Sequence, residues 1–249
     1  MFFLSKKVKN LTSFVVNRKT KIDFTSAKYF SMLERYYSKN EPLGSIIKCI
    51  KFLNVQIKIK KGILVPRDET ELVVLKAIQL IKKHKISSVY DLCCGTGNIG
   101  LAIKKTLPKI NITSVDINHV AIANTKENAK LNNLKIETIC GDFYASIKNK
   151  TECIVCNPPY VNEKELNKDM TKYENKISFT NSKNDIFFYK KILDNYKKIM
   201  KEKFLIVFEI GYNQKEKLTK VLKENNLYSY AKFYKDLAKL DRILVINKF

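Results

Sequence analysis

Short apolar runs alternate with segments long enough for helices from about residue 86 onward, and this alternation constrains the fold most. The apolar runs are, in order, ISSVYDL, NITSVDI, KIETIC, ECIVC, FLIVFEI, YSYAKFY and RILVINK. Strands that alternate with amphipathic helices favour crossover connections and a mostly parallel sheet. The last two runs are joined by KDLAKLD without a helix, so they predict a closing antiparallel hairpin. The predicted fold class is therefore α/β.

The chain before this sheet has a different pattern. The stretch IKFLNVQIKIKKGILV alternates in the manner of a β-hairpin, and Thr70 is placed to cap a helix over 71–83. The segment before the hairpin is basic and is predicted to be helical. The simplest layout is a short helical segment over 1–45, a β-hairpin linker over 46–66 and an α/β domain over 67–249.

The charge of the chain has two interpretations. The formal net charge is +23 in 249 residues, yet arginine occurs only at Arg18, Arg35, Arg67 and Arg242. A coat of solvated lysines explains most of this charge, and a polyanionic neighbour such as RNA is the alternative. No run approaches the roughly 18 apolar residues that a membrane span needs, so no contact with a membrane is expected.

The first 22 residues contain six lysines or arginines and no acid. An organellar transit peptide has this composition, and so does the first helix of a small basic domain. We favour the helix, which predicts a cytoplasmic protein. If residues 1–22 are instead a transit peptide, the location is a mitochondrion or a plastid.

The six cysteines have no framework spacing, and we expect reduced, buried thiols. Cys153 and Cys156 form a CxxC, and Cys93 and Cys94 can approach Cys156 if their two strands are neighbours, so a metal site is the alternative. In a strand, however, residues i and i+3 face opposite sides. No metal site is therefore predicted.

A glycine loop follows the first strand of the sheet in VYDLCCGTGNIGLAI. Asp91 ends the strand, and Gly95 and Gly97 let the backbone approach a ligand at the start of the next helix. Asp116 ends the second strand, about 20 residues further on, where a carboxylate can accept both hydroxyls of a ribose. This arrangement predicts a nucleoside-binding loop.

The third strand leads into Asp142 and Phe143. The carboxylate is suited to accept from an adenine amino group, and the ring is suited to lie against the adenine face. The chain has no lysine-serine phosphate cradle, which favours a nucleoside without pyrophosphate, namely S-adenosylmethionine. Asp91 then faces the ammonium group of this cofactor. The alternative is a set of ordinary strand-end turns with solvated acids.

The fourth strand runs directly into Asn157-Pro158-Pro159-Tyr160, at the edge of the sheet where open α/β folds bind ligands. Each proline fixes its own φ and restricts the residue before it, which makes a stiff elbow. The side-chain oxygen of Asn157 and the carbonyl of Pro158 can accept both protons of a planar NH₂ group, and Tyr160 can pack over it. The elbow is predicted to hold a nitrogen nucleophile for methylation, and a purely structural loop is the alternative.

From about residue 34 to its end, the chain resembles the HemK/PrmC family of protein-(glutamine-N5) methyltransferases. The similar segments are ERYYSKNEPLGSIIK, GILVPRDETEL, DLCCGTGNIGLAI, CNPPYVNEKEL, NDIFFYKKIL, FEIGYNQ and DLAKLDRILVI. Asn-Pro-Pro-Tyr also occurs in enzymes that methylate adenine in DNA. The segments PRDETE, FEIGYNQ and DLAKLDR together select this family.

The resemblance implies a seven-stranded class I, Rossmann-like methyltransferase fold. It implies methylation of the glutamine in the Gly-Gly-Gln motif of class I peptide-chain release factors, with S-adenosylmethionine as cofactor and S-adenosylhomocysteine as product. The expected partner is the release factor, bound by a monomer that forms no stable complex with nucleic acid. The alternatives are a ribosomal-protein glutamine methyltransferase, an adenine-N6 methyltransferase of DNA or RNA, and a cofactor-binding module without activity.

The residues and the resemblance together indicate two groups of contacts. Substrate contacts are expected at Asn157, Pro158, Pro159 and Tyr160. Cofactor contacts are expected at Asp91, Cys93, Cys94, Gly95, Thr96, Gly97, Asp116, Asp142, Phe143 and Asn157.

Three features depart from the family. Cys93 replaces the first glycine of the cofactor loop and adds a side chain near the ligand, Asp68 stands where a proline is usual, and the N-terminal helical part is shorter than usual.

Two of the four arginines, Arg67 and Arg242, fall inside family segments. Because the chain otherwise uses lysine, these arginines are expected to make planar, bidentate pairs with acids. The candidate acids are Glu69, Glu71 and Asp241.

Overall fold

The structure is a computed structural model that describes residues 24–39, 41–166, 168–180 and 184–249. The hypotheses about residues 1–22 therefore lie outside the described residues. Within the part of the chain that is described, none of the helices combines the length and apolar character that a membrane crossing requires.

The described residues form helices and strands in the order expected of crossover units. The helices are α1 (Phe24–Lys39), α2 (Leu43–Ile47), α3 (Asp68–His84), α4 (Asn98–Thr106), α5 (His119–Leu131), α6 (Phe143–Ser146), α7 (Lys168–Tyr173), α8 (Phe187–Leu193), α9 (Tyr196–Ile199) and α10 (Lys215–Glu224). The strands are β1 (Cys49–Phe52), β2 (Val55–Lys58), β3 (Ser88–Leu92), β4 (Asn111–Asp116), β5 (Glu137–Cys140), β6 (Thr151–Cys156), β7 (Met200–Glu209), β8 (Ala231–Lys235) and β9 (Asp241–Lys248).

Seven strands form one sheet in the order β5-β4-β3-β6-β7-β9-β8. Strands β3 to β7 pair in parallel, whereas β9 is antiparallel to both β7 and β8. The predicted α/β fold and its closing antiparallel hairpin are therefore confirmed. The order reverses between β3 and β6, and such a switch point is where open α/β sheets bind ligands.

The sheet is covered on both faces, which explains why its central strands read as continuous apolar runs. In β6, Cys153 and Val155 belong to the core on one face, and Ile154 and Cys156 belong to the core on the other. The predicted separation of the CxxC thiols to opposite sides is therefore confirmed.

The β1-β2 hairpin is attached to α5 through three asparagines at four-residue intervals. Asn124, Asn128 and Asn132 accept from the backbone N–H groups of Lys60, Lys58 and Gln56 at 3.0, 2.8 and 2.9 Å. Four helical residues rise about 6 Å and two strand residues about 6.6 Å, so successive asparagines meet successive outward N–H groups. The helix thereby satisfies the open edge of the hairpin.

Helix α3 begins at Asp68, with Arg67 at the N-cap position, so the prediction that Thr70 caps a helix over 71–83 is wrong. Three acids in the first turn, Asp68, Glu69 and Glu71, favour this earlier start because they face the positive end of the helix dipole. Thr70 lies inside the first turn, is buried, and directs its hydroxyl into the protein.

One of the helix-length segments between the apolar runs, residues 184–201, does not form a single helix. Two short helices, α8 and α9, replace one continuous helix, and β7 already begins at Met200. Met200 pairs with Thr151 at the start of β6, ahead of an irregularity in the register, and this pairing extends the strand.

Candidate active site

A cleft of roughly 1080 Å³, its open mouth included, lies at the carboxyl edge of the sheet beside the switch point. Most of the predicted site residues line it, namely Cys93, Cys94, Gly95, Thr96, Asp116, Asp142, Phe143, Asn157 and Pro159. Four other predicted residues do not line it, namely Asp91, Gly97, Pro158 and Tyr160. The two sequence motifs meet there because Leu92 and Cys156 are paired across β3 and β6, which brings Cys93 and Asn157 to the same edge.

The loop after β3 has three residues in the left-handed region: Cys93 at φ 55°, Gly95 at φ 56° and Gly97 at φ 77°. A Cβ on Gly95 would have only Ile63 within 4 Å, at 3.9 Å, so this backbone is open to close approach from the cleft. A Cβ on Gly97 would lie 2.7 Å from Thr125, so this glycine serves packing within the protein. Cys93 takes the conformation of a glycine at a cost of about 1 kcal/mol.

Asp116 holds this loop to the end of β4. Its Oδ2 accepts from the N–H of Gly95 and its Oδ1 accepts from the N–H of Asn118, both at 2.9 Å. Burial raises the pKa of Asp116, and these N–H donors partly offset the shift. A carboxylate has about four acceptor positions, so the group retains capacity for the hydroxyls of a ribose.

Asp91 lies beneath the loop and is fully buried. Its Oδ2 accepts from the N–H of Gly100 at 3.0 Å and from the hydroxyl of Ser114 at 3.4 Å, whereas its buried Oδ1 has no hydrogen-bond partner. Burial raises the pKa of Asp91 to about 7, and the nearby Asp116 adds to the rise. In this position Asp91 joins the first turn of α4 to β4.

Asp142 and Phe143 form the far wall of the cleft together with Lys191. The carboxylate of Asp142 accepts from the N–H of Tyr144 at 2.8 Å and pairs with the Lys191 ammonium at 2.5 Å. Burial acts to raise the pKa of Asp142, but Lys191 and the N–H of Tyr144 outweigh it and lower the pKa. The same ammonium lies 5.1 Å from the centre of the Phe143 ring.

Asn157 is tied to a buried carboxylate that the sequence reasoning did not include. Its Nδ2 donates to Thr70 Oγ1 at 3.4 Å, and the Thr70 hydroxyl donates to Glu209 Oε2 at 2.7 Å. The Tyr160 hydroxyl donates to the other oxygen, Glu209 Oε1, at 3.0 Å. Burial raises the pKa of Glu209, and the bonds from Thr70 and Tyr160 and the charge of Arg242 oppose this rise.

Gln214 fixes the far end of the Asn-Pro-Pro-Tyr segment. Its Nε2 donates to the carbonyl of Tyr160 at 3.1 Å and to that of Asp185 at 2.9 Å, and its Oε1 accepts from the N–H of Gly211 at 2.8 Å. Glu209 and Gln214 both belong to FEIGYNQ, which the family resemblance had singled out without assigning a role. Lys191 and Ile117 are among the other residues that line the cleft and were also missed.

The predicted partners of the arginines are wrong. Arg67 pairs with Glu174, with 2.7 Å between Nη2 and Oε2, and Arg242 pairs with Asp236, with 3.2 Å between Nε and Oδ2. Glu174 is 3% exposed and also accepts from the N–H of Val65 at 2.6 Å. Because Glu174 lies over one hundred residues beyond Arg67, the pairing depends on how the segments pack together.

All six cysteines are free thiols, as predicted. Cys94, Cys153 and Cys156 are buried and Cys93 is half-buried, but Cys49 and Cys140 are exposed, so the prediction of burial is wrong for these two. Burial raises the pKa of the Cys153 thiol well above its usual range. Among the described residues, no three side chains of histidine, cysteine, aspartate or glutamate are arranged to hold a metal ion.

Comparisons with known proteins support the fold and show the family. The family model described as "Methyltransferase small domain" matches residues 70–223. The chain is 34% identical over 228 residues to the release factor glutamine methyltransferase of Thermodesulfovibrio yellowstonii, and the match covers 88% of this chain and 80% of that protein. It is 32% identical over 230 residues to the release factor glutamine methyltransferase of Clostridium botulinum, with 89% and 81% covered.

Solved structures show the same fold. The crystal structure of ribosomal protein L11 methylase from Lactobacillus delbrueckii subsp. bulgaricus superposes with a TM-score of 0.55 at 19% identity, covering 77% of this chain and 84% of that one. At this level of identity the likeness concerns the fold, which agrees with the predicted class I methyltransferase architecture.

Proposed function

Because the chain belongs to the release factor glutamine methyltransferase family, we propose that it methylates the side-chain nitrogen of the glutamine in the Gly-Gly-Gln motif of class I peptide-chain release factors. The chain is an enzyme, a methyltransferase. S-adenosylmethionine is the proposed methyl donor and S-adenosylhomocysteine the proposed product.

One observation carries the proposal beyond family membership. Asn157 and Pro159 line the same cleft as Cys93, Asp116 and Phe143. The elbow that suits a planar amide and the loop that suits a nucleoside therefore open into one space. A methyl donor held by the loop and an amide held by the elbow would be neighbours there, which supports direct transfer between them.

The residues of the cleft fit the proposed cofactor. Gly95 leaves backbone open to close approach, and the Asp116 carboxylate at the end of β4 retains acceptor positions for two ribose hydroxyls. Phe143 and Ile117 offer apolar surface for the adenine, and Ile117 is 61% exposed at the cleft. When bound, S-adenosylmethionine supplies an electrophilic methyl group.

The role of the elbow follows from the chemistry of an amide. The nitrogen of a glutamine side chain has two N–H groups and a lone pair delocalised into the carbonyl. In our proposal Asn157 Oδ1 accepts one proton, and the other is accepted by the backbone carbonyl of Pro158, which lies between the cleft-lining Asn157 and Pro159 although Pro158 itself does not line the cleft. The two bonds orient the nitrogen and favour its pyramidalisation towards the methyl group. No strong base is needed before attack, since a proton can leave once the nitrogen is methylated.

The proposal is tested by incubating the protein with a class I release factor and S-adenosylmethionine that carries a labelled methyl group. Label is expected on the glutamine of Gly-Gly-Gln and is located by peptide mass spectrometry. A release factor with Gln→Ala at this position is the matched control and is expected to stay unlabelled. Equal labelling of the control would overturn the assignment.

Two parallel reactions separate the remaining substrates. Ribosomal proteins and adenine-containing DNA or RNA are offered in place of the release factor. If either is methylated while the release factor is not, the proposed substrate is wrong and that alternative replaces it.

A further inference from the structure

We infer that Thr70 and Glu209 are positioning residues that set the orientation of the Asn157 amide for the reaction. This inference rests on the proposed function, in which Asn157 Oδ1 accepts from the substrate nitrogen. Thr70 lies in the first turn of α3 and Glu209 at the end of β7, and they are 139 residues apart in sequence. Both are 2% exposed, so their hydrogen bonds are shielded from water.

The direction of each hydrogen bond follows from what the groups can donate. A carboxylate only accepts, so the Thr70 hydroxyl at 2.7 Å gives its proton to Glu209 Oε2. The lone pairs of the Thr70 oxygen are then available, and the group of Asn157 that can use them is the NH₂. The chain of bonds therefore runs from Asn157 Nδ2 through Thr70 to Glu209.

This direction decides which end of the Asn157 amide faces the substrate. With Nδ2 turned to Thr70, Oδ1 is the end left to accept a proton from a substrate amide. In the reversed orientation Nδ2 would meet the substrate nitrogen, and two donors would oppose each other. Since the oxygen and nitrogen of an asparagine side chain have nearly the same shape, packing alone cannot select the orientation, and a hydrogen-bond partner is needed.

The second oxygen of Glu209 extends the effect to the other end of the elbow. Tyr160 donates to Oε1 at 3.0 Å, so one carboxylate is bonded to Tyr160 and, through Thr70, to Asn157. The two prolines between them leave few backbone rotations free. Glu209 thereby holds both ends of a stiff segment in one geometry.

The test compares Thr70→Val, which keeps the shape but removes the hydroxyl, with Thr70→Ser, which keeps the hydroxyl. For Thr70→Val we expect kcat to fall roughly 10-fold to 100-fold, because a misplaced nucleophile costs rate. The dissociation constant of S-adenosylmethionine, measured by calorimetry, is expected to stay within about two-fold, because Thr70 acts on Asn157. Thr70→Ser is expected to restore most of the lost kcat.

Glu209→Gln tests the other end of the chain of bonds. The amide nitrogen that this substitution introduces cannot accept a hydrogen bond, so either the Thr70 hydroxyl or the Tyr160 hydroxyl loses its acceptor. The kcat is therefore expected to fall about as much as in Thr70→Val. The double variant Thr70→Val/Glu209→Gln should be little worse than the worse single variant, because both act through Asn157. Glu152→Gln is the matched control: Glu152 accepts from Ser87 Oγ at 2.6 Å at the other end of the sheet, and its loss should leave kcat unchanged.

The outcomes separate this inference from the proposed function. If Asn157→Ala loses turnover while Thr70→Val retains the wild-type kcat, the inference is overturned and the proposed function stands. A loss in Thr70→Val that Thr70→Ser does not restore, or that is matched by a weaker binding of S-adenosylmethionine, also overturns it, because the hydroxyl then has no specific role. If Asn157→Ala itself turns over normally, the role of Asn157 in the proposed function fails.

Discussion

Asp91→Asn is expected to make the folded protein more stable at neutral and higher pH. Asp91 is fully buried under the glycine loop, its Oδ1 has no partner, and its pKa rises from an ordinary value of 3.8 to about 7. Because the folded pKa lies above the unfolded one, the stability that protonated Asp91 contributes is complete below pH 3.8 and is lost as the pH rises through about 7.

The size of the effect follows from the difference between the ordinary pKa of 3.8 and the folded pKa of about 7. At about 1.36 kcal/mol per unit, ionisation of Asp91 costs the folded state about 4 kcal/mol in total. Roughly 2–3 kcal/mol of this loss falls between pH 5 and pH 8.5. Asparagine resembles the protonated acid: its oxygen can accept from Gly100 and Ser114, and it carries no charge at any pH.

The assay is urea unfolding of the wild type and Asp91→Asn at a series of pH values, without cofactor. The free energy of unfolding of the variant minus that of the wild type should grow by about 2–3 kcal/mol from pH 5 to pH 8.5. Glu152→Gln is the control of opposite sign, because the Glu152 pKa is lowered: burial acts to raise it, but the Ser87 hydrogen bonds and the Lys201 ammonium outweigh burial. Glu152→Gln is expected to lower the free energy of unfolding, and this loss should shrink as the pH falls through the pKa of Glu152 in the folded protein. A difference for Asp91→Asn that is independent of pH would refute the reasoning.

Three further substitutions test the site and its supports. Asn157→Ala is expected to lower kcat by roughly 10²-fold with little change in the binding of S-adenosylmethionine by calorimetry, and normal turnover would contradict its role. Gly100→Ala would bring a Cβ within 2.9 Å of both Asp91 Oδ2 and Ile112 Cγ2. The free energy of unfolding in urea should therefore fall by about 1–3 kcal/mol, and an unchanged urea midpoint would exclude this overpacking. Asn128→Ala leaves backbone groups of Lys58 and Thr96 without a partner, and a cost of about 2–3 kcal/mol is expected in the same assay, whereas Lys126→Ala, at an exposed position of the same helix, should have little effect.

The described sheet could be predicted from the sequence because its signal is local. Apolar runs such as ECIVC and FLIVFEI are long enough to span the core, and the helical segments between them require crossover connections. The candidate loops were predictable for the same reason, since a loop that follows a parallel strand must lie at the carboxyl edge. Asn157 and Cys93 were therefore expected at one edge, and the structure places them there.

The position of Thr70 shows where local reasoning fails. A threonine that precedes a segment with helical apolar periodicity predicts an N-cap. The hydroxyl of Thr70 instead donates to Glu209. Three neighbouring acids start the helix earlier, and a buried carboxylate from another strand is the stronger partner for the hydroxyl.

By itself, the sequence determined the α/β class, the strands, the glycine loop and the elbow, because each is encoded within a few successive residues. Only the tertiary structure decided which polar side chains pair with each other: Arg67 with Glu174, Thr70 with Glu209 and Lys191 with Asp142. Two of these pairs join residues 107 and 139 positions apart, so they exist only after the elements have packed. Each buried charge or hydroxyl must find a partner among the groups that packing brings near, and no local pattern encodes that choice.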